Sequence, residues 1–95
     1  MMDEQASYEA IQLTMTEAVQ QRLEERLILV EDIQQVIEYA ERTGRKLKQP
    51  NTGHFLAHYR PTSVTYWVEY APQGEVFAIH NAYSHRMELI EDKKA

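Results

Sequence analysis

The chain has 95 residues and a mass of 11.2 kDa, which is the size of one small domain. It contains no cysteine, which excludes disulfides, thiolate metal sites and cysteine nucleophiles. Its net charge of −5 argues against a nucleic-acid partner, since such proteins usually carry a basic surface. The longest apolar run, residues 27–30, is too short to cross a membrane and no secretory signal is visible, so we expect a cytoplasmic protein without a membrane partner.

The charge is unevenly distributed along the chain. Residues 1–43 contain ten acids and three bases, whereas residues 44–95 contain five acids and seven bases. Surface helices are commonly rich in glutamate, which explains the asymmetry most simply. The second interpretation is that an acidic helical face and a near-neutral sheet face contact different partners.

The first half of the chain is predicted to be helical. Residues 7–29 contain neither glycine nor proline, and apolar residues such as Leu23 and Leu27 recur at steps of three and four. Either Ser7 begins one long helix or a shorter helix begins near Thr16, with Thr14 and Thr16 as its possible caps, because serine and threonine both cap helices. The pattern leaves these alternatives open, and we expect residues 1–6 to be disordered.

A second helix is predicted over residues 32–43. Acidic residues occupy its first turn, Arg42 lies in its last turn, and Gly44 follows as a C-terminal cap. One face of this helix is apolar with helical spacing. The residues on that face are Ile33, Val36, Ile37 and Ala40.

The composition changes to aromatic and β-branched residues after a turn at residues 51–53, and this change favours strands. The short link at 60–63, and the link at 71–74 with the composition of a hairpin turn, favour antiparallel pairing. The predicted strands are residues 54–59, 64–70 and 75–81.

These elements predict an α+β fold of order α-α-β-β-β. Two N-terminal helices pack on one face of a three-stranded antiparallel sheet, because both layers must bury an apolar face. Residues 7–90 form the single domain, and residues 91–95 form a charged tail.

Alternation along the strands divides the predicted sheet into two faces. The apolar face that the helices need is supplied most simply by Val64, Tyr66, Val68, Phe77 and Ile79. The opposite face then carries Trp67, Glu69, Ala78 and His80. The alternative is the reverse parity, with Trp67 in the core.

The face carrying Trp67 is the candidate surface for a ligand or partner, because aromatic and ionisable side chains together suit binding better than plain solvent coating. The segment after the third strand adds hydrogen-bonding side chains, among which Ser84, His85 and Arg86 could bind an anion. The alternative for this segment is a turn that caps the sheet. The predicted binding residues are Trp67, Glu69, His80, Tyr83, His85 and Arg86.

Catalytic and metal-binding motifs are not apparent. Glu69 and His80 would make a general acid–base pair if the strands bring them together, but no nucleophile elbow, phosphate-binding glycine loop or dinucleotide motif accompanies them. All four histidines follow residue 53 without the spacing of a known metal motif. We therefore predict no catalytic residue, no metal site and no cofactor.

Five segments carry a resemblance to a known group of proteins. They are Val30-Glu31-Asp32-Ile33, Ala40-Glu41-Arg42-Thr43-Gly44, Asn51-Thr52-Gly53-His54-Phe55, Val64-Thr65-Tyr66-Trp67-Val68-Glu69-Tyr70 and Asn81-Ala82-Tyr83-Ser84-His85-Arg86-Met87. They lie within residues 29–87, and this stretch resembles a small uncharacterised domain of anaerobic bacteria. That domain is similar to the C-terminal module of FAD- and NAD(P)-dependent oxidoreductases and also occurs alone. The resemblance implies an accessory, docking or substrate-gating module and assigns no catalytic residue.

The sequence therefore predicts a non-catalytic binding or accessory module, associated with a flavin- or pyridine-nucleotide-dependent oxidoreductase, whose partner is a protein or a small molecule. One alternative is a structural domain that forms a homodimer through its sheet face. A further alternative is a small metal-binding protein or enzyme that uses histidine and glutamate side chains.

Overall fold

The computed structural model of the chain describes residues 8–61 and 63–86, with the side chain of Arg86 left out. The predicted disordered segment 1–6 and charged tail 91–95 lie outside the described residues. The helices are α1 (Glu17–Glu25) and α2 (Val30–Thr43). The strands are β1 (Leu13–Thr14), β2 (Leu47–Lys48), β3 (Phe55–Tyr59), β4 (Val64–Gln73) and β5 (Val76–Arg86).

Thr16 caps helix α1, which decides between the two starts that the sequence allowed. The Thr16 hydroxyl accepts a hydrogen bond from the Val19 N–H at 3.2 Å, which satisfies a donor that the helix itself leaves unpaired. The chain before it forms a short 3₁₀ turn and β1 instead of more helix. Leu27 then adopts a left-handed conformation, with φ of 58°, at the corner between α1 and α2.

Helix α2 has the predicted buried face and the predicted cap. Ile33, Val36, Ile37 and Ala40 are completely buried. The Asp32 carboxylate accepts a hydrogen bond from the Leu29 N–H at 2.9 Å, and Gly44 ends the helix with φ of 78°. Neither of the two described α-helices is long and apolar enough to cross a membrane.

Within the described residues the sheet has five strands in the order β1-β5-β4-β3-β2, with β1 parallel to β5 and the other pairs antiparallel. The predicted three-stranded antiparallel sheet is therefore wrong, although the fold is α+β overall. The sequence analysis missed β1 and β2 because each has only two residues, too few to show alternation. Their strand geometry comes from tertiary pairing, of Leu13 with Phe77 and of Leu47 with Leu56.

The hairpin between β4 and β5 is longer than predicted. Residues 71–73 continue β4 and the turn lies at Gly74 and Glu75, so the prediction of a turn over 71–74 is wrong. Pro72 fits in the strand because its partner Phe77 donates its N–H to the Gln12 carbonyl at 2.8 Å, on the β1 side. Strand β5 likewise continues to Arg86 through the segment predicted to leave the sheet.

A β-bulge in β5 changes the parity of that strand. Glu69 pairs with Asn81 and Tyr70 pairs with Ile79, which leaves His80 as the extra residue. As a result, Ile79 before the bulge and Ala82 after it are both buried.

The helices cover one face of the sheet, with α2 against β3 and β4 and α1 against β5. Val68 and Tyr70 are completely buried at the centre of that face, and Ala57 and Ala82 flank Val68 on the neighbouring strands. The predicted parity is thus confirmed, because Trp67 and Glu69 alternate with these buried residues.

We expect Thr16→Ala to lower the free energy of unfolding by about 1 kcal/mol, because the first turn of α1 loses its cap. Urea denaturation measures the loss. The control Thr16→Ser keeps the hydroxyl and should stay near the parent. Equal stabilities for the alanine variant and the parent would show that the cap does not stabilise α1.

Candidate functional site

Three stacked rings cross the sheet face that the helices leave open. His58 on β3, Trp67 on β4 and Tyr83 on β5 are direct cross-strand neighbours. The ring centroids of His58 and Trp67 are 4.4 Å apart at an interplanar angle of 26°, and those of Trp67 and Tyr83 are 6.3 Å apart at 10°. We call these three residues the aromatic row. The rings are stacked face to face, since centroids 4.4 Å apart are too close for rings that lie side by side in one plane, so the row turns ring edges to solvent and is bounded by the exposed rings of His58 and Tyr83.

A second group, which we call the histidine cluster, lies on the same face two residues farther along β4 than Trp67. It consists of His54, Glu69 and His80. The Nδ1 atom of His54 is 2.9 Å from Oε2 of Glu69. The His80 ring stacks on the His54 ring with centroids 3.8 Å apart and an interplanar angle of 5°. The bulge that makes His80 an extra residue of β5 places this ring beside His54. The partner of Glu69 is therefore His54, and not the His80 that the sequence analysis paired with it.

The predicted binding residues fall into two sets. Trp67, Glu69, His80 and Tyr83 belong to the aromatic row and the histidine cluster. His85 is exposed and pairs with Thr65 farther along the open face.

The predicted anion site at Ser84, His85 and Arg86 is not formed as one set. Ser84 pairs with Tyr66, which by strand alternation belongs to the helix-covered face. His85 pairs with Thr65, which belongs to the open face. The Arg86 backbone pairs with Val64, and its side chain lies outside the described residues.

The sequence analysis did not assign His54 and His58 to the site. The signal was present, since both alternate with Phe55 and Ala57 and so share the face of Trp67. It did not indicate that each would stack with a ring on another strand, because that depends on register.

A cleft of about 360 Å³ opens at the edge of the sheet beside the aromatic row. Strand β2 pairs only with Leu56 and Phe55, so it leaves the rest of β3 as an outer edge. The chain between the end of α2 and β2 forms the opposite wall. The lining residues are Tyr39, Gly44, Arg45, Lys46, Leu47, Leu56, His58 and Trp67. We call this the edge cleft; the sequence analysis missed it because the pairing of β2 creates it.

A hydrogen-bond network holds the outer wall of the edge cleft. The buried Tyr70 donates its hydroxyl proton to Oε2 of Glu41 at 2.7 Å, and Nζ of Lys46 binds the same oxygen at 2.7 Å. The Lys46 ammonium also lies 4.3 Å from the centroid of the Phe55 ring. The segment that follows α2 is thereby tied to the centre of the core.

The network shifts the pKa values of both acidic groups. Burial acts to raise the pKa of Glu41, but the hydrogen bonds from Lys46 and Tyr70 outweigh it and lower that pKa below its ordinary value of 4.5. Burial, reinforced by the bond to the Glu41 carboxylate, raises the pKa of Tyr70 well above its usual range. Glu41 therefore stabilises the fold in its charged form and Tyr70 in its neutral form.

Among residues 8–61 and 63–86, no group of three or more His, Cys, Asp or Glu side chains is placed to hold a metal ion. The histidine cluster is bonded within itself through Glu69 and the stacked rings.

We expect Glu41→Gln to flatten the loss of stability in acid. A carboxyl group whose pKa is lowered by folding stabilises the protein above its unfolded pKa, and the contribution is lost as pH falls through its folded pKa, below 4.5. Urea unfolding of the parent should therefore weaken more than that of the variant between about pH 6 and about pH 3.

The matched control is Glu38→Gln, which removes the same charge from α2 but breaks only a surface ion pair with the exposed Arg42. The stability of Glu38→Gln should change with pH in parallel with that of the parent. An acid profile of Glu41→Gln that runs parallel to the parent would contradict a stabilising Glu41 carboxylate.

In comparisons with known proteins, no family model, no curated protein and no solved structure matches this chain. The association with an oxidoreductase, which the sequence resemblance implies, therefore stays a prediction.

Proposed function

We propose that this chain is a binding module without catalytic activity of its own, and that it binds a flat ring of a small-molecule ligand on the aromatic row. The observation that carries the proposal is the alignment of His58, Trp67 and Tyr83, three nearly parallel rings on three adjacent strands. A ligand ring that packs on the outer face of His58 or Tyr83 would extend a rigid stack centred on Trp67, because strands rather than loops position the rings.

Energetics favour a binding role for the row over a folding role. An aromatic pair adds about 0.5–1.5 kcal/mol beyond the area it buries. The core forms on the opposite face, around Val68 and Tyr70. An anchor such as tryptophan at the centre of a desolvated interface commonly contributes about 2 kcal/mol or more to binding when truncation is the measure. The rings therefore offer more to a bound ligand than to the isolated fold.

The absence of independent catalysis rests on the sequence, in which no nucleophile elbow, phosphate-binding glycine loop or dinucleotide motif accompanies Glu69 and the histidines. Glu69 bonds to His54 at 2.9 Å and the His80 ring stacks on the His54 ring, so these three side chains are joined to one another beside the row.

A second copy of the chain is the alternative occupant of the open face. It would bury the same rings, and the predicted homodimer through the sheet face would then be the function. A protein partner such as an oxidoreductase fits the proposal only if it carries a bound small molecule whose ring contacts the aromatic row.

We expect Trp67→Ala to weaken the binding of flat aromatic ligands by about 30-fold, which corresponds to about 2 kcal/mol. The probes are FMN and AMP, measured by calorimetry. Trp67→Phe keeps a ring at the position and should retain most of the affinity. Urea unfolding should place Trp67→Phe within about 1 kcal/mol of the parent, whereas Trp67→Ala should lose about 1–3 kcal/mol, the contribution of its two ring pairs, since the partly buried Trp67 lies outside the core.

Three results would contradict the proposal. The first is equal affinity of Trp67→Ala and the parent for the ligands. The second is a loss of stability in Trp67→Ala well above about 3 kcal/mol, more than its two ring pairs explain. The third is a parent dimer, detected by light scattering, that dissociates in Trp67→Ala. The last result would establish the homodimer instead.

A further inference from the structure

We infer that the ligand of this module is an aromatic anion, with its ring on the aromatic row and its anionic group in the edge cleft beside Arg45. The inference rests on the proposed function, because it takes the ring position from it. It adds a charge requirement that the aromatic row alone does not impose.

The edge cleft and the aromatic row form one continuous surface. Trp67 and His58 belong to both, so a ring stacked on the row has the cleft as its neighbour. The cleft volume of about 360 Å³ lies at the lower end of the range of about 300–1,000 Å³ for small-molecule sites. This size suits one ring system with one attached group.

The charges around the cleft favour an anion. Its lining includes two bases, Arg45 and Lys46, and no acid. The sequence carries no acidic residue between Glu41 and Glu69, while five bases fall in that interval. Arg42 and Lys46 are paired with Glu38 and Glu41 of α2, so Arg45 is the lining base that brings uncompensated positive charge to the cleft.

Of the two lining bases, Arg45 is the one available to a ligand. The Lys46 ammonium already binds Glu41 at 2.7 Å and covers the Phe55 ring. Within residues 8–61 and 63–86, the exposed Arg45 guanidinium has no hydrogen bond or ion pair. A guanidinium forms two parallel hydrogen bonds with a carboxylate or a phosphate.

The backbone holds Arg45 at the cleft. Gly44 before it takes the left-handed conformation that ends α2, and Lys46 after it is fixed by the Glu41 network. The Arg45 N–H also donates to the Thr43 hydroxyl at 3.3 Å. The C-terminus of α2 adds a partial negative charge of about half an elementary charge at this point, which is smaller than the full charge of Arg45.

The test compares ligands that differ only in the anion: FMN with riboflavin, and AMP with adenosine. Calorimetry should show that each phosphorylated compound binds about tenfold more tightly than its uncharged counterpart, the effect of a charge-assisted hydrogen-bond pair. Arg45→Gln should abolish that preference and leave the affinity for riboflavin and adenosine unchanged.

The matched control is Lys48→Gln, which removes one positive charge from exposed β2 outside the cleft lining. It should keep the preference for the phosphorylated compounds within about twofold, because an exposed charge away from the contact is screened by solvent and salt. A similar loss in both variants would mean that general charge, and not the cleft, attracts the anion, and would overturn the inference.

The remaining outcomes separate this inference from the proposed function. Equal binding of FMN and riboflavin, both weakened by Trp67→Ala, would overturn the anion requirement and leave the ring platform intact. Binding that is insensitive to Trp67→Ala, or no binding of either pair at millimolar concentration, would overturn both. Binding of a single-stranded oligothymidylate but not of AMP or FMN would overturn the choice of a small molecule.

Discussion

In the part of the chain that the structure describes, two short helices cover one face of a five-stranded sheet and leave the other face open. Helices α1 and α2 have nine and fourteen residues, and their buried side chains meet the face centred on Val68 and Tyr70. Because a sheet alternates its side chains between its two faces, every second residue of β3 and β4 must then point away from the helices. The open face that results carries aromatic and ionisable side chains, and the functional proposals follow from this one-sided coverage.

The phenol of Tyr70 links the core to the edge of that open face. A buried hydroxyl needs a hydrogen-bond partner, and Tyr70 finds it in Glu41 at the end of α2. The same carboxylate oxygen binds Lys46, so one buried group sets the position of the segment that leads into β2. Arg45 lies in that segment. The packing of the core therefore helps to determine the position of Arg45 at the edge cleft.

Several parts of this structure can be predicted from the sequence because they follow local rules. The apolar face of α2 follows helical spacing, Gly44 marks its end, and alternation around Trp67 assigns the sheet faces correctly. A capping residue such as Thr16 can be recognised as a candidate, but another candidate at Ser7 leaves the start of α1 undecided.

The missed parts depend on contacts between residues distant in sequence. Strands β1 and β2 consist of two residues each and exist only as partners of β5 and β3. The bulge at His80 is visible only as a shift of register between β4 and β5. Both the stacking of His54 on His80 and the edge cleft follow from these pairings, so local patterns could not predict the full candidate site.

The most direct test of binding through the open face is a titration of the ¹⁵N-labelled protein with FMN, followed by amide and indole chemical shifts. Binding as proposed predicts that the largest changes fall on the indole N–H of Trp67, on neighbouring amides of β3 and β5, and on residues 44–47. Shifts confined to the exposed corner between α1 and α2, around Leu27, or an unchanged Trp67 indole signal at saturating ligand, would contradict it.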